Sequence, residues 1–227
     1  MMAEQKKVSG IRGVKDVLPG EVEHWQWVEE TSRRVLHRYG YSEIKIPIFE
    51  RTELFARGIG ETTDIVEKEM YTFTDKGGES ITLRPEATAS IIRAYIEHHL
   101  YKGSPLSRLY AIGPMFRYER PQAGRLRQFY QIDAEAIGSL SPSIDAELIL
   151  MVWELLHELG LKGLSLELNS LGDRESRASF REALKLYFEQ KLDLLCENCR
   201  RRFHTNPLRI LDCKEPGCIE GVYRGPS

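Results

Sequence analysis

The chain has 227 residues, 41% hydrophobic and 29% charged, which is the balance of a folded globular protein and not of a disordered one. Its 32 Lys+Arg against 34 Asp+Glu give a net charge of −2, which excludes a globally basic nucleic-acid binder but leaves room for local patches. The longest apolar run, Leu148 to Trp153, is too short to span a bilayer, and Met1–Lys7 leads into no apolar stretch of the secretory kind. With four cysteines and no such leader, reduced thiols or a metal site are expected in place of a disulfide framework, and a cytoplasmic location with them.

In chain order, Pro19-Gly20 marks a turn, and Val22, Trp25, Val28, Val35 and Tyr39 then fall at helical spacing up to a stop at Gly40. Residues 41–46 alternate like a strand that Pro47 interrupts, which suits an edge or an interface. Residues 51–68 read as loop and short helix, fit to serve as a lid. Two short strands, 71–74 and 81–83, flank Asp75-Lys76-Gly77-Gly78 as a hairpin, and a helix runs from about Thr88 to His99. Residues 109–119 and 127–138 form a longer strand pair around the loop 120–126. Ser141-Pro142 opens a helix that ends at Gly160. A strand is expected at 164–169, a helix capped by Asp173 as far as about Leu195, and irregular structure from Cys196 onward. Hairpins flanked by helices, without regular strand–helix–strand alternation, give an α+β fold around an antiparallel sheet. No GxGxxG or GxxxxGK[ST] loop is present, which argues against a Rossmann or P-loop nucleotide site.

The chemistry concentrates between Met115 and Glu135. Period-2 alternation puts Arg127, Phe129, Gln131, Asp133 and Glu135 on one face, with the more apolar Gln128, Tyr130, Ile132, Ala134 and Ala136 opposite. In an arbitrary hairpin a face this polar is simply solvated. Here the partner strand adds Arg117 and Glu119, so guanidinium, carboxylate, amide and ring converge on one patch. Arg117 suits a phosphate or carboxylate, Phe129 a base, and Gln131 with Glu135 an ammonium group. The loop 120–126 is basic and can meet a polyphosphate or a nucleic-acid backbone, although an ordinary exposed tip looks the same. In Thr82–Thr88 a strand runs into Pro85 and then a helix start, where Thr88 serves as N-cap and Glu86 favours the dipole.

The cysteines are spaced Cys196-x2-Cys199, thirteen residues, Cys213-x4-Cys218, among Arg200, Arg201, Arg202, Arg209 and Lys214. That spacing can hold Zn²⁺, with the basic residues offsetting four thiolates. The plain alternative is four reduced thiols, since the second spacing is wider than the usual pair.

These strings resemble the N-terminal part of the catalytic domain of the histidyl-tRNA synthetases, a class II aminoacyl-tRNA synthetase family. Ile11–Pro19 resembles the family's start, and helix 21–39 with Pro47 resembles motif 1, the dimer-forming element. Thr82–Thr88 resembles the LRPEGT segment, with Ala87 where the family usually has Gly. Gly113–Phe129 resembles motif 2, and Leu168–Asp173 and Asn206–Asp212 are further family strings. The resemblance covers nearly the whole chain, residues 1–227, as one catalytic-domain fragment. It puts motif 3 and an anticodon-binding domain beyond Ser227 and implies that the chain alone is impaired.

It further implies a set of roles. The catalytic residue is Arg117, on the ATP α-phosphate and the histidine carboxylate. ATP is held by Arg117, Glu119 (adenine amino group), Arg125 (phosphates) and Phe129 (adenine ring). L-Histidine is held by Glu86, Thr88, Arg117, Gln131 and Glu135, Mg²⁺ assists, the loop 120–126 meets the acceptor end of tRNA(His), and Pro47 lies at a homodimer interface. The implied reaction is formation of histidyl-adenylate followed by transfer to tRNA(His). The alternatives are a synthetase-like regulatory subunit of ATP phosphoribosyltransferase, which the substrate-pocket set speaks against, and a generic nucleotide- or RNA-binding α+β module.

Overall fold

The structure, a computed structural model, describes residues 8–59, 69–169 and 172–222. The chain divides into two units, Met1–Leu164 and Ser165–Ser227.

In the first unit the helical spacing after Gly20 forms α1, Val22–Arg38, and Gly40 closes it with a φ of +79°, a value that suits a residue without Cβ. The alternating segment 41–46 is a strand only at Ser42–Glu43 (β1), which pairs parallel with the later long strand β5, Ser107–Phe116. The chain then leaves that sheet through Pro47 and enters a second one at β2, Phe49–Arg51. Pro47 thus sits where the chain changes sheets, a place where a missing N–H breaks no ladder. The lid-like stretch is helical over Thr52–Ile59 (α2), and its remainder, 60–68, lies outside the described residues.

The expected hairpin forms from β3, Thr72–Thr74, and β4, Ser80–Leu83. The Asp75 carboxylate closes its turn by accepting from the N–H groups of Gly77 and Glu79 at 2.8 and 2.9 Å. With β2 these strands make an antiparallel sheet in the order β2-β4-β3. The next helix, α3, is Thr88–Glu97.

The larger sheet has the order β1-β5-β6, with β6 at Gln128–Ile137 running antiparallel to β5. One face of the β5–β6 pair carries Tyr110, Ile112, Ala134 and Ala136. These pack against Val35 and Leu36 of α1 and Met151 of α4, Pro142–Glu158. Ser141 precedes α4 as expected, but its hydroxyl meets Ser143 Oγ at 2.8 Å and makes no cap bond. On the other face Ala111 and Met115 pack with Ile46, Ala87 and Ile91, so the start of α3 covers one end of that face.

The second unit is helical: α5 at Arg174–Glu189, α6 at Glu197–Thr205 and α7 at Pro216–Val222, with 3-10 turns at Leu192–Leu194 and Pro207–Ile210. Asp173 caps α5 as expected, accepting from the Ser176 N–H at 2.7 Å. Three expectations fail. The strand at 164–169 does not form, because no described segment offers it a ladder, and Leu166 and Leu168 stay exposed. Helix α5 stops at Glu189, since Leu195 turns inward to join Leu184 and Phe188 in the core. The supposedly irregular 196–222 is mostly helix, and its core is completed by Cys199, Ile210 and Cys218.

Candidate active site

The register of β5 and β6 sets Leu109 opposite Glu135, Ala111 opposite Asp133, Gly113 opposite Gln131 and Met115 opposite Phe129. The polar face inferred from alternation is therefore real, but it is not solvated: Phe129, Gln131, Asp133 and Glu135 are all partly buried. Small residues on β5 leave the space beside them. Gly113 in particular leaves room for a guanidinium, because a Cβ there would come within 2.4 Å of Arg84 Nη2.

Arg84 lies 5% exposed at the end of β4, donating from Nε to the Pro114 carbonyl at 2.8 Å and from Nη1 to the Ile46 and Pro47 carbonyls at 2.8 and 3.2 Å. Burial draws its pKa down and the charge of Asp133 opposes that. Immediately after it, Glu86 Oε1 accepts from the Ala89 N–H at 3.0 Å, so Glu86 caps α3. Thr88 is not the N-cap. Its hydroxyl donates across to Glu135 Oε1 at 2.7 Å, because that carboxylate is the stronger acceptor.

Three carboxylates, Glu86, Asp133 and Glu135, thus face two guanidinium groups, Arg84 and Arg117. The imbalance shows at Asp133: burial first, then the charges of Glu86 and Glu135, raise its pKa to about 6 against the pull of Arg84 and Arg117. Gln131 Oε1 and Asp133 Oδ2 are buried and accept no hydrogen bond from the described residues. Buried acceptors with no donor are costly, and a cation with N–H groups is the ligand that would satisfy them.

Arg117 continues past the end of β5, its N–H bonded to the Arg127 carbonyl at 3.0 Å. Its Nε donates to the Pro85 carbonyl at 2.9 Å, and its Cζ lies 5.0 Å from the centre of the Phe129 ring. Further along, Glu119 Oε2 pairs with Arg125 Nη1 at 3.3 Å, with the Arg125 side chain 66% exposed. Arg127, placed with the patch by alternation, instead lies over the Tyr118 ring at 4.0 Å and donates to the Glu119 carbonyl. Beyond the regular strand, alternation no longer fixes direction.

The structure therefore brings together Glu86, Thr88, Arg117, Phe129, Gln131 and Glu135, and sets the Glu119–Arg125 pair just beyond the strand ends. Alternation puts Asp133 on the right face without a role, and it gives Arg84 none. The signals available were the alternation itself and an Arg placed directly before Pro85 at a strand end. A cavity of about 900 Å³ opens beside the patch between α2 and α3, and Glu86 and Thr88 are on its wall together with Leu54, Ile92 and Ile96. No described helix is long and apolar enough to cross a membrane.

Known proteins match most of the length of the chain. It is 56% identical to the histidine–tRNA ligase of Geobacter metallireducens over 220 residues, covering 97% of this chain and 53% of that protein. It is 56% identical to that of Geobacillus kaustophilus over 218 residues, covering 95% and 51%. Apo histidyl-tRNA synthetase of Staphylococcus aureus superposes with a TM-score of 0.71 at 40% identity, covering 96% of this chain and 54% of the other. An ATP phosphoribosyltransferase regulatory subunit/histidyl-tRNA synthetase from Bacillus halodurans C shares the fold, at 19% identity and a TM-score of 0.64. The chain spans about half the length of the curated relatives it matches. The family model described as histidyl-tRNA synthetase matches residues 13–172, which carry every element of the patch, and the chain belongs to the histidyl-tRNA synthetase family.

Proposed function

We propose that this chain supplies the amino-acid and ATP sites of a histidine–tRNA ligase, which joins L-histidine to ATP as histidyl-adenylate and passes the histidyl group to tRNA(His). The observation that carries this is the excess of carboxylate over guanidinium on a buried strand face, with Gln131 Oε1 and Asp133 Oδ2 lacking donors. A free amino acid with a charged α-ammonium and a nitrogen-bearing ring fits that face. Glu86, Gln131 and Glu135 accept from those N–H groups, and Thr88 holds the Glu135 carboxylate in place.

Arg117 spends its Nε on Pro85, which leaves Nη1 and Nη2 as donors for the histidine carboxylate and the ATP α-phosphate. Neutralising both lets the carboxylate oxygen attack phosphorus as pyrophosphate leaves. The chain's part in that step is positioning and charge compensation. Phe129 gives the adenine a ring to stack on, and Glu119 accepts from its amino group. Arg125 can turn to the phosphates because an ion pair this exposed is weak. The nucleotide is taken as its Mg²⁺ complex, the metal arriving with the substrate. Arg120 and Arg125, both exposed in the loop 120–126, offer charge to the acceptor end of tRNA(His). We read the assembly as a homodimer formed around Pro47, supported by the exposure of Ile48 and Phe49 beside it.

A regulatory subunit without aminoacylation would have no need of a complete amino-acid pocket, and this chain retains Glu86, Thr88, Gln131 and Glu135. The test is histidine-dependent exchange of labelled pyrophosphate into ATP by the full-length protein. Exchange that requires histidine supports a ligase. Histidine binding without exchange supports the regulatory subunit.

A further inference from the structure

Outside the patch, one group of side chains stands apart. The sulfurs of Cys196, Cys199, Cys213 and Cys218 all lie within 4.8 Å of one another. They come from two short stretches of the second unit. Cys196 is the residue before α6 and Cys199 lies in its first turn, while Cys213 precedes α7 and Cys218 lies within it. A tetrahedron of sulfurs at a Zn–S distance of about 2.3 Å has S···S edges of about 3.8 Å. The Cys196–Cys213 pair is at 3.9 Å, so the arrangement is within an ångström of closure on every edge.

We propose that Cys196, Cys199, Cys213 and Cys218 form a structural Zn²⁺ site that holds α6 and α7 together. The surroundings fit a charged sulfur cluster better than four packed thiols. The Cys196 N–H donates to Cys218 Sγ at 3.1 Å, the kind of amide contact that steadies a thiolate ligand. Cys199 and Cys218 are fully buried whereas Cys196 and Cys213 are half-buried, so the site is closed, with four protein ligands and no position for water or substrate. The neighbouring Arg200 is fixed by hydrogen bonds from Nε to the Leu192 and Leu195 carbonyls, which keeps a cation beside a cluster that would carry −2.

The energetics point the same way. Among the described residues, the buried core of the second unit holds Leu184, Phe188, Leu195 and Ile210 besides two of the cysteines. A core this small supplies little folding free energy, and small units of this kind commonly rely on a metal. Zinc is preferred to ferrous iron because a thiolate site of given geometry binds it more tightly.

The test uses the whole chain, expressed without added metal and purified under reducing conditions. Elemental analysis should give about one zinc per chain that survives dialysis, and a thiol reagent should titrate the four cysteines only after a strong chelator is added. Chelation of the unmodified protein should lower its helical circular dichroism, and added zinc should restore it. Cys213→Ser and Cys199→Ser should each bring zinc below about a tenth of an equivalent. Because Cys199→Ser also disturbs packing, the half-exposed Cys213→Ser and the chelation of the parent carry the decision. Less than about a tenth of an equivalent of zinc in the parent with four freely reacting thiols, full zinc retention in Cys213→Ser, or one equivalent of iron in place of zinc would each overturn the proposal.

Discussion

Thr88 and Glu135 lie 47 residues apart and meet through a 2.7 Å hydrogen bond from the threonine hydroxyl to the glutamate carboxylate. The bond joins the first residue of α3 to β6 at the level of Leu109. It fixes one oxygen of Glu135, and no other donor among the described residues reaches this carboxylate. A helix start and a strand are thereby tied together at the subsite proposed for the amino acid.

Asp133 makes stability depend on pH. Its carboxyl titrates near 6 in the folded chain against an ordinary 3.8. Between those values the folded state holds a proton that the unfolded state has lost, so stability falls as pH rises from about 4 to 6 and stays lowered above it. Asp133→Asn removes that penalty. With solvent screening allowed for, it should stabilise the chain at pH 8 by on the order of 1–2 kcal/mol and do little at pH 4. Urea unfolding of both proteins at the two pH values measures this. Equal stabilities at pH 8 would mean that burial and the charges of Glu86 and Glu135 do not act on Asp133 as described.

Gly113, buried in β5, should not tolerate even a methyl group, so Gly113→Ala should be destabilising. The added methyl would lie 2.4 Å from Arg84 Nη2, and Arg84 is held by three carbonyls and has little freedom to yield. Overpacking of this kind costs about 1–3 kcal/mol. A thermal melt reads it as a drop of several degrees, and an unchanged midpoint would show that Arg84 moves freely.

Equilibrium sedimentation at micromolar concentration should give twice the chain mass of 26.2 kDa. Ile48→Glu, beside Pro47, should shift the population toward monomer, since a charge at a covered apolar contact must be desolvated. A parent that sediments as a clean monomer would remove Pro47 from any dimer interface.

Much of the fold was legible in the sequence, because the deciding signals are local. Helical spacing up to Gly40, the Asp75 turn and the long alternation of β6 each specify an element without help from distant residues. What the sequence misread depends on partners. Leu164, Leu166 and Leu168 alternate like a strand but find no ladder among the described residues. The segment after Cys196 looks irregular because sulfur does the work of aliphatic side chains in its core. Pro47 reads as an interruption, and only the sheet order reveals a crossing between two sheets.

The same contrast holds at the site. Alternation grouped Phe129, Gln131 and Glu135, yet it could not tell a solvated polar face from a buried one. That difference is made by α3, which covers one end of the face. Hence alternation gives Asp133 no role, and Thr88 reads as a local cap although its hydroxyl is taken by a carboxylate from another element.

Whether this face of β6 is an amino-acid pocket is decided by titrating histidine and ATP separately into the full-length protein and its Glu135→Gln variant by isothermal calorimetry. The variant keeps the size, loses one charge and replaces one acceptor oxygen with an NH2 donor. Replacing a charge-assisted bond with a neutral one should cost about 1.5–3 kcal/mol, which is roughly 10- to 150-fold in histidine affinity. ATP affinity and the melting temperature should change little. Histidine affinity equal to the parent's, or a loss confined to ATP, would contradict the claim.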